Sequence, residues 1–320
     1  MVSAADTRKQ LREVELPVAP AWVRLAAKGV PLLPAGRYRI GKWLGRFASG
    51  PFWMRLAAVR EDLWFRCDLR EHIARDVCFT GQYEPQETSL VSAILRPGMT
   101  FLDVGANWGY FTLLAAHLVG GRGRVVSLEP DPRLFSILHA NVHRNGLTQI
   151  VPLQLAAADG ARSLTLSGYP EGSENRGSSR VVSGVPSGPV FRVDADSLDA
   201  VIARLGLDHI DLLKMDIEGA EGMALAGLDR ALSDKRVHRV LLELHPWAFG
   251  EHGISTEQVL HPLLKAGYRG WVLDHSPEAT RRACYGGRLD PLSLLKPFDP
   301  SVALDDWPHL LCAAPGTAPL

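Results

Sequence analysis

Two acid-bearing segments flank one glycine turn, and their residue types set the chemistry this chain can do. The first, Phe101-Leu102-Asp103-Val104-Gly105-Ala106-Asn107-Trp108-Gly109-Tyr110-Phe111, reads as a buried strand, a tight turn and the first turn of a helix. The second, Val125-Val126-Ser127-Leu128-Glu129-Pro130, ends a strand on an acid. Gly105 and Gly109 carry no Cβ, so the backbone can bend sharply and let a ligand lie against it. A dinucleotide fingerprint needs glycine at its first, third and sixth positions, where a pyrophosphate rests on bare amides. Counted from Gly105, the third and sixth positions are Asn107 and Tyr110. The turn, with Ala106, Asn107 and Tyr110 facing the ligand, therefore suits an adenosine compound without phosphates, S-adenosylmethionine. Asp103 is placed for its ammonium group and Glu129, before Pro130, for the two ribose hydroxyls. Either acid alone would be explained by ending a strand; the pair around one turn favours the ligand.

A second reactive group follows further along. Lys214-Met215-Asp216-Ile217-Glu218-Gly219-Ala220-Glu221 ends a strand and opens a helix, and strand alternation puts Lys214 and Asp216 on one side. Asp216 would then offset the positive charge beside a transferring methyl group. Glu218 and Glu221 are expected in the first helical turn, where the helix dipole alone favours acids and suffices to explain Glu221. His245, two residues after Glu243, is the expected general base, since an ordinary imidazole titrates at about 6.5. Glu243 would orient that ring or touch the acceptor, and Trp247, with Trp108 and Phe249, would wall the acceptor pocket. Asp216, Glu218 and His245 are also types that hold a divalent ion. Residue types do not choose between base and metal; the expectation is no obligatory metal.

These residues need a frame that gathers strand ends. From residue 98 the pattern alternates strand and helix, the mark of an α/β fold with a mostly parallel, Rossmann-like sheet and helices on both faces. Strands are expected near 100–105, 124–129, 150–155, 211–216, 239–245, 268–273 and 309–314, with helices near 86–95, 109–119, 132–144, 196–205, 219–231 and 255–266. Ligands in such sheets bind outside the carboxyl ends of the strands, where Asp103, Glu129, Asp216, Glu243 and His245 all fall. Residues 1–50 read as a leader of short helices broken by prolines, residues 51–97 as a small strand pair and helix, and 98–320 as the main domain. Between 164 and 192 a Gly/Ser/Pro-rich insertion reads as a hairpin carrying a mobile loop, Gly168 to Arg180.

Composition narrows the partners. Lys+Arg and Asp+Glu both number 35 in 320 residues, so the formal charge is zero and a polyanionic substrate such as nucleic acid is disfavoured. No apolar run approaches the roughly 20 residues of a spanning helix, and the polar start does not suggest a secretory signal. The four scattered cysteines form no C-x-x-C pair and suit reduced thiols in a cytoplasm. The apolar stretch 21–33 suits packing on the core or contacts in a homo-oligomer better than membrane contact.

FLDVGANWGYFTLLAA, SLEP, LLKMDIEGAEGMALAGL (212–228), LLELHP (241–246) and the upstream GQYEP (81–85) together resemble the FkbM family of S-adenosylmethionine-dependent methyltransferases. The resemblance covers roughly residues 79 to 275 and the final strand. It implies a seven-stranded class I sheet in the order 3-2-1-4-5-7-6 with the last strand antiparallel, and methyl transfer to oxygen on sugars, polyketides or other secondary-metabolite hydroxyls. It also implies that Asp159, after the third strand, receives the adenine amino group, and that Glu84 lies in a segment folded over the methionine end. Two other readings compete: an NAD(P)-dependent Rossmann oxidoreductase, against which the missing third-position glycine speaks, and a non-catalytic cofactor-binding scaffold. Nucleic-acid methylation is weakened further by the lack of an N-P-P-Y-like motif.

Overall fold

In the computed structural model, the described residues are 16–47, 50–56, 63–168, 179–182, 186, 188–251, 253–285, 290–301, 304 and 307–320. They fall into two compact units, on either side of the Gly81–Gln82 junction. In the first, helices α1 (Ala21–Gly29), α2 (Arg37–Gly45) and α3 (His72–Thr80) accompany strands β1 (Phe52–Arg55) and β2 (Trp64–Cys67), which pair antiparallel. The strand pair matches expectation; α3 was not expected.

The second unit holds the main sheet. Its strands are β3 (Thr100–Val104), β4 (Arg124–Leu128), β5 (Ile150–Leu153), β10 (Leu212–Met215), β11 (Arg239–Glu243), β12 (Arg269–Leu273), β13 (Leu295–Pro297) and β14 (His309–Ala313). They lie in the order β13-β12-β14-β11-β10-β3-β4-β5. Read from β5, this is the 3-2-1-4-5-7-6 arrangement with β13 added at the far edge. β14 runs antiparallel to both neighbours, while β11, β10, β3, β4 and β5 are mutually parallel. The central strands are covered on both faces, which is why Phe101-Leu102-Asp103-Val104 and Leu212-Leu213-Lys214-Met215 are buried throughout. Two polar residues inside such runs, Asp103 and Lys214, are the exception that needs a reason.

Helices α4 (Pro85–Ile94), α5 (Tyr110–Val119), α6 (Pro132–Arg144) and α11 (Thr256–Lys265) lie close to their expected positions. Their starts are set locally. Asp131 caps α6 by accepting from the Arg133 amide at 2.8 Å, with Pro132 pre-setting the first turn. Ser255 and Gln258 form a reciprocal capping box on α11.

Three expectations are corrected. The helix near 219–231 is two: α8 (Glu221–Ala226) and α9 (Asp229–Ser233), broken at Gly227, where a Cβ would overlap the Ala158 carbonyl. The 164–192 insertion is more than a hairpin. Strands β6 (Ala156–Ala158), β7 (Arg162–Gly168), β8 (Ser179–Val181) and β9 (Val190–Ser197) build a separate four-stranded sheet in the order β6-β9-β7-β8. β9 therefore runs through Ser197, which caps α7 (Leu198–Leu205), so that helix starts later than expected. Of the loop expected between Gly168 and Arg180, residues 169–178 lie outside the described residues. Helix α10 (Pro246–Glu251) follows β11, and the excursion after Leu273 contains α12 (Pro277–Tyr285) as well as β13.

The turn after β3 is welded to the end of β10. Gly105 sits at φ +85°, and a Cβ there would overlap the Asp216 carbonyl oxygen and lie 2.9 Å from Ile217 Cγ2. Both the strained backbone and the backbone overlap penalise any side chain. Gly105→Ala is expected to cost about 3 kcal/mol or more in urea unfolding; a cost under about 1 kcal/mol would contradict this packing.

Candidate active site

At the carboxyl ends of β3, β4, β10 and β11 the structure gathers a group of charged side chains from five chain segments. Its centre is Lys214, buried, with Nζ 3.6 Å from Glu84 Oε2 and 3.6 Å from Asp216 Oδ2, and 4.6 Å from the centre of the Phe111 ring. Register places Lys214 directly beside Asp103, so parallel pairing sends both side chains to one face. Burial would push the lysine toward its neutral form. Glu84, Asp216, Glu243 and Asp103 outweigh that and raise its pKa, keeping it charged.

The acids carry the opposite tension. Desolvation raises Asp103 to about 6 against the pull of Lys214 and the Thr112 hydroxyl, which donates to Oδ2 at 2.6 Å. Desolvation likewise raises Glu129 to about 8 and Glu243 to about 10, and raises Glu84 despite Lys214. Glu84 sits at φ +44° before α4, and its Oε2 is buried without a hydrogen-bond partner. The crevice thus holds more carboxylates than cations.

Around the turn, Glu129 accepts from the Asn107 amide at 2.8 Å with one oxygen and from the Asp131 amide at 2.9 Å with the other. This differs from an acid held open for a ribose: Glu129 first fixes the turn, leaving its remaining lone pairs for a ligand. The Gly105 and Ala106 amides both donate to the Leu128 carbonyl, at 3.0 and 2.9 Å, and Asn107 takes the left-handed region at φ +53°. Gly109, at φ +87°, precedes α5, whose Tyr110 packs edge-on against Tyr83 and Phe111. Pro130 follows Glu129, partly buried.

His245 is buried, with Nδ1 donating to Glu221 Oε1 at 2.9 Å and Nε2 3.7 Å from both Glu218 and Glu243. Burial alone would lower its pKa; the Glu221 hydrogen bond and the surrounding carboxylates raise it to about 9. The ordinary histidine value behind the base expectation is therefore not that of this site. Glu221, fully buried, also accepts from the Gly219 amide at 3.2 Å, so it joins the turn before α8 to the imidazole. The sequence reading explained this residue by the helix dipole alone and missed its role. Glu218, expected inside the helix, precedes it at φ +53°.

Trp247 is about a third exposed, its ring 6.2 Å edge-on from His245, and Arg180 of β8 lies 5.6 Å over it. Phe249 packs into the main core instead of walling a pocket. Asp159 is not brought into the cluster: its carboxylate is 45% exposed and paired with Arg162. Asp216, Glu243 and His245 offer ligand atoms within 4.8 Å of one another, so Glu243 takes the place expected for Glu218 in a metal-capable set. A mostly parallel sheet with a glycine turn after its first strand, an acid after the second and an Asp–Glu block after the fourth define a class I methyltransferase architecture.

The comparisons agree. Residues 103–269, more than half of the chain, match the methyltransferase FkbM domain, and the chain belongs to that family of S-adenosylmethionine-dependent methyltransferases. It is 32% identical over 177 residues to the 31-O-demethyl-FK506 methyltransferase FkbM of Streptomyces tacrolimicus, covering 47% of this chain and 67% of that protein. It is 31% identical over 185 residues to the AMB antimetabolite synthetase AmbE of Pseudomonas aeruginosa, covering 48% of this chain but only 9% of that protein. A solved methyltransferase FkbM from Methylobacillus flagellatus is 16% identical, with a TM-score of 0.41 over 87% of this chain and 58% of that one. Among the described residues no helix is long and apolar enough to cross a membrane.

If Glu221 holds His245 charged, Glu221→Gln will bring the imidazole down from about 9 toward the ordinary histidine value. An NMR titration of the His245 ring reads this directly; an unchanged midpoint would show that the other carboxylates suffice. The ligand-free protein should also lose stability between pH 6 and 9. His245, Glu129 and Glu243 all have raised pKa values when folded, so the folded state holds more protons there than the unfolded one. A Tm that rises with pH over that window would contradict the assignment.

Proposed function

We propose that this chain is an O-methyltransferase that moves a methyl group from S-adenosylmethionine to a hydroxyl of a small molecule, a sugar, polyketide or other secondary metabolite, in the cytoplasm. The observation that carries the reading is the charge of the crevice. Among the described residues, Glu84, Asp103, Asp216, Glu218 and Glu243 gather around Lys214, His245 and His309, and the buried Glu84 Oε2 meets Lys214 Nζ at 3.6 Å without accepting a hydrogen bond. Such a site fits a ligand bearing an ammonium and a sulfonium. It opposes a pyrophosphate, because Glu129 already occupies the Asn107 amide and sets a carboxyl beside the turn. When bound, S-adenosylmethionine supplies an electrophilic methyl group. The S. tacrolimicus relative, described as a 31-O-demethyl-FK506 methyltransferase, supports oxygen as the acceptor atom.

Asp103 and Glu84 would hold the amino-acid end. Gly105, Ala106, Asn107, Gly109 and Tyr110 would line it, with Glu129 and Pro130 toward the ribose. Lys214, within 3.6 Å of both Asp216 and Glu84, holds these carboxylates in place, making it a positioning residue. Asp216 balances positive charge near the reacting carbon. His245 receives the acceptor's hydroxyl proton on Nε2, because Nδ1 is committed to Glu221. Trp247 and Glu243 contact the acceptor, and Arg180 of the inserted sheet, over Trp247, extends that wall. A second reading rests on the Asp216, Glu243 and His245 grouping: a divalent ion there would lower the hydroxyl pKa instead of a free base. Loss of activity on chelation, restored by Mg²⁺, selects it.

S-adenosylmethionine should bind at micromolar concentration in isothermal titration, with binding lost in Asp103→Ala and Glu129→Ala and absent for NADH. No heat with the cofactor or its demethylated product would sink the proposal. With base catalysis by His245, kcat/KM should rise with pH on a limb nearer 9 than 6.5. His245→Gln should then lower kcat by roughly 10²–10⁴. A limb at 6.5, or a loss under tenfold, would remove His245 from that role.

A further inference from the structure

A second cluster lies next to the crevice and takes no part in the chemistry above. Glu87 of α4, His275 after β12 and His309 of β14 come from three distant stretches of the chain. His309 Nδ1 donates to Glu87 Oε1 at 2.7 Å and His275 Nε2 donates to the same oxygen at 2.8 Å. One ligand atom from each residue lies within 4.8 Å of the others. We propose that Glu87, His275 and His309 form a binding site for a divalent transition metal of the zinc class, distinct from the methyl-transfer crevice and joined to it through His309.

The donor set is the first argument. Two imidazoles and one carboxylate are the borderline and hard ligands that zinc, cobalt and nickel share, whereas Mg²⁺ and Ca²⁺ call for oxygen alone. The second argument is burial. Glu87 is 1% exposed, yet both donors fall on one oxygen and its Oε2 is buried with no hydrogen-bond partner.

Ring geometry is the third. The two imidazoles stack with centres 4.1 Å apart and planes 26° apart, their nitrogens converging on one point. A single metal ion at that point would be met by both rings at once. In a tetrahedral zinc site, ligand atoms stand roughly 3.3 Å apart, so opening the present contacts by about half an ångström would seat the ion. The fourth argument is the outer partner. Metal-bound histidines usually present their other N–H to a carboxylate, which fixes the tautomer. His309 Nε2 lies 3.9 Å from Glu243 Oε1, and those two residues are direct cross-strand partners. Metal on Nδ1 would leave the proton on Nε2, facing the crevice acid. Loading would thus tie α4, β14 and the segment after β12 together and hold Glu243 in place.

The competing account is a plain Glu–His–His hydrogen-bond network. Co²⁺ distinguishes the two through its visible absorption when bound by nitrogen ligands in a tetrahedral site. The full chain, stripped with chelator, is titrated with Co²⁺ and then with Zn²⁺ as competitor. One Co²⁺ per chain should bind, Zn²⁺ should displace it, and Zn²⁺ should raise Tm. His275→Gln and Glu87→Gln should weaken Co²⁺ at least tenfold and abolish the Tm gain, while Asp216→Asn leaves both intact. His275 is partly exposed and pairs with Glu87 outside the crevice, so its variant separates this site from the reaction. Should Glu87→Gln fail to fold, His275→Gln alone decides. Equal Co²⁺ affinity in wild type and His275→Gln, or binding lost only in Asp216→Asn, would overturn the proposal. Either result leaves the S-adenosylmethionine titration to be judged by itself.

Discussion

A charged lysine enclosed by carboxylates is the interaction on which the crevice depends. Lys214 is buried in a central strand, where an unpaired ammonium would carry a desolvation cost of several kcal/mol. Glu84 and Asp216 offset that cost from two separate segments, and Asp103 lies beside it in the sheet. The lysine in turn keeps these acids together without their driving each other apart. Because the acids still outnumber the cations, several of them rise toward protonation in the ligand-free protein. The site is therefore short of positive charge, and a cationic ligand relieves what the fold alone leaves unbalanced.

The sheet produces this arrangement without long-range contrivance. Parallel pairing of β3 with β10 and of β10 with β11 brings Asp103, Lys214 and the end of β11 into line. Glycine at position 105 lets the turn after β3 reach the Asp216 carbonyl. The antiparallel β14 then delivers His309 opposite Glu243, so a strand laid down last in the chain completes the acid cluster from the other side. Fixing His245 through Glu221 follows the same economy: one buried carboxylate orients the imidazole and closes the turn that precedes α8.

Much of this was legible in the sequence because it was local. The buried runs 101–104 and 212–215, the glycine turn and the strand-ending acids each announce themselves within a few residues, and alternation correctly put Lys214 and Asp216 on one side. What was not legible depended on partners far along the chain. Ala156-Ala157-Ala158 is too short to show a period, and only pairing with Ala195-Asp196-Ser197 makes it a strand of a second sheet. Glu221 looked like any acid at a helix start until the fold set His245 against it. The His245 pKa was misjudged for the same reason: three carboxylates from two segments converge on a ring whose own sequence neighbourhood shows one of them. Glu87, His275 and His309 carry no spacing signal at all, since 188 residues separate the first two.

A crevice built to receive a cation shows itself in the protons exchanged on binding. Titrating S-adenosylmethionine at pH 7.5 in buffers of different ionisation enthalpy gives that number. Net proton release is expected, as a bound cation draws the pKa values of Glu129, Glu243 and His245 downward from about 8, 10 and 9. Binding with proton uptake, or with no exchange in any buffer, would contradict it.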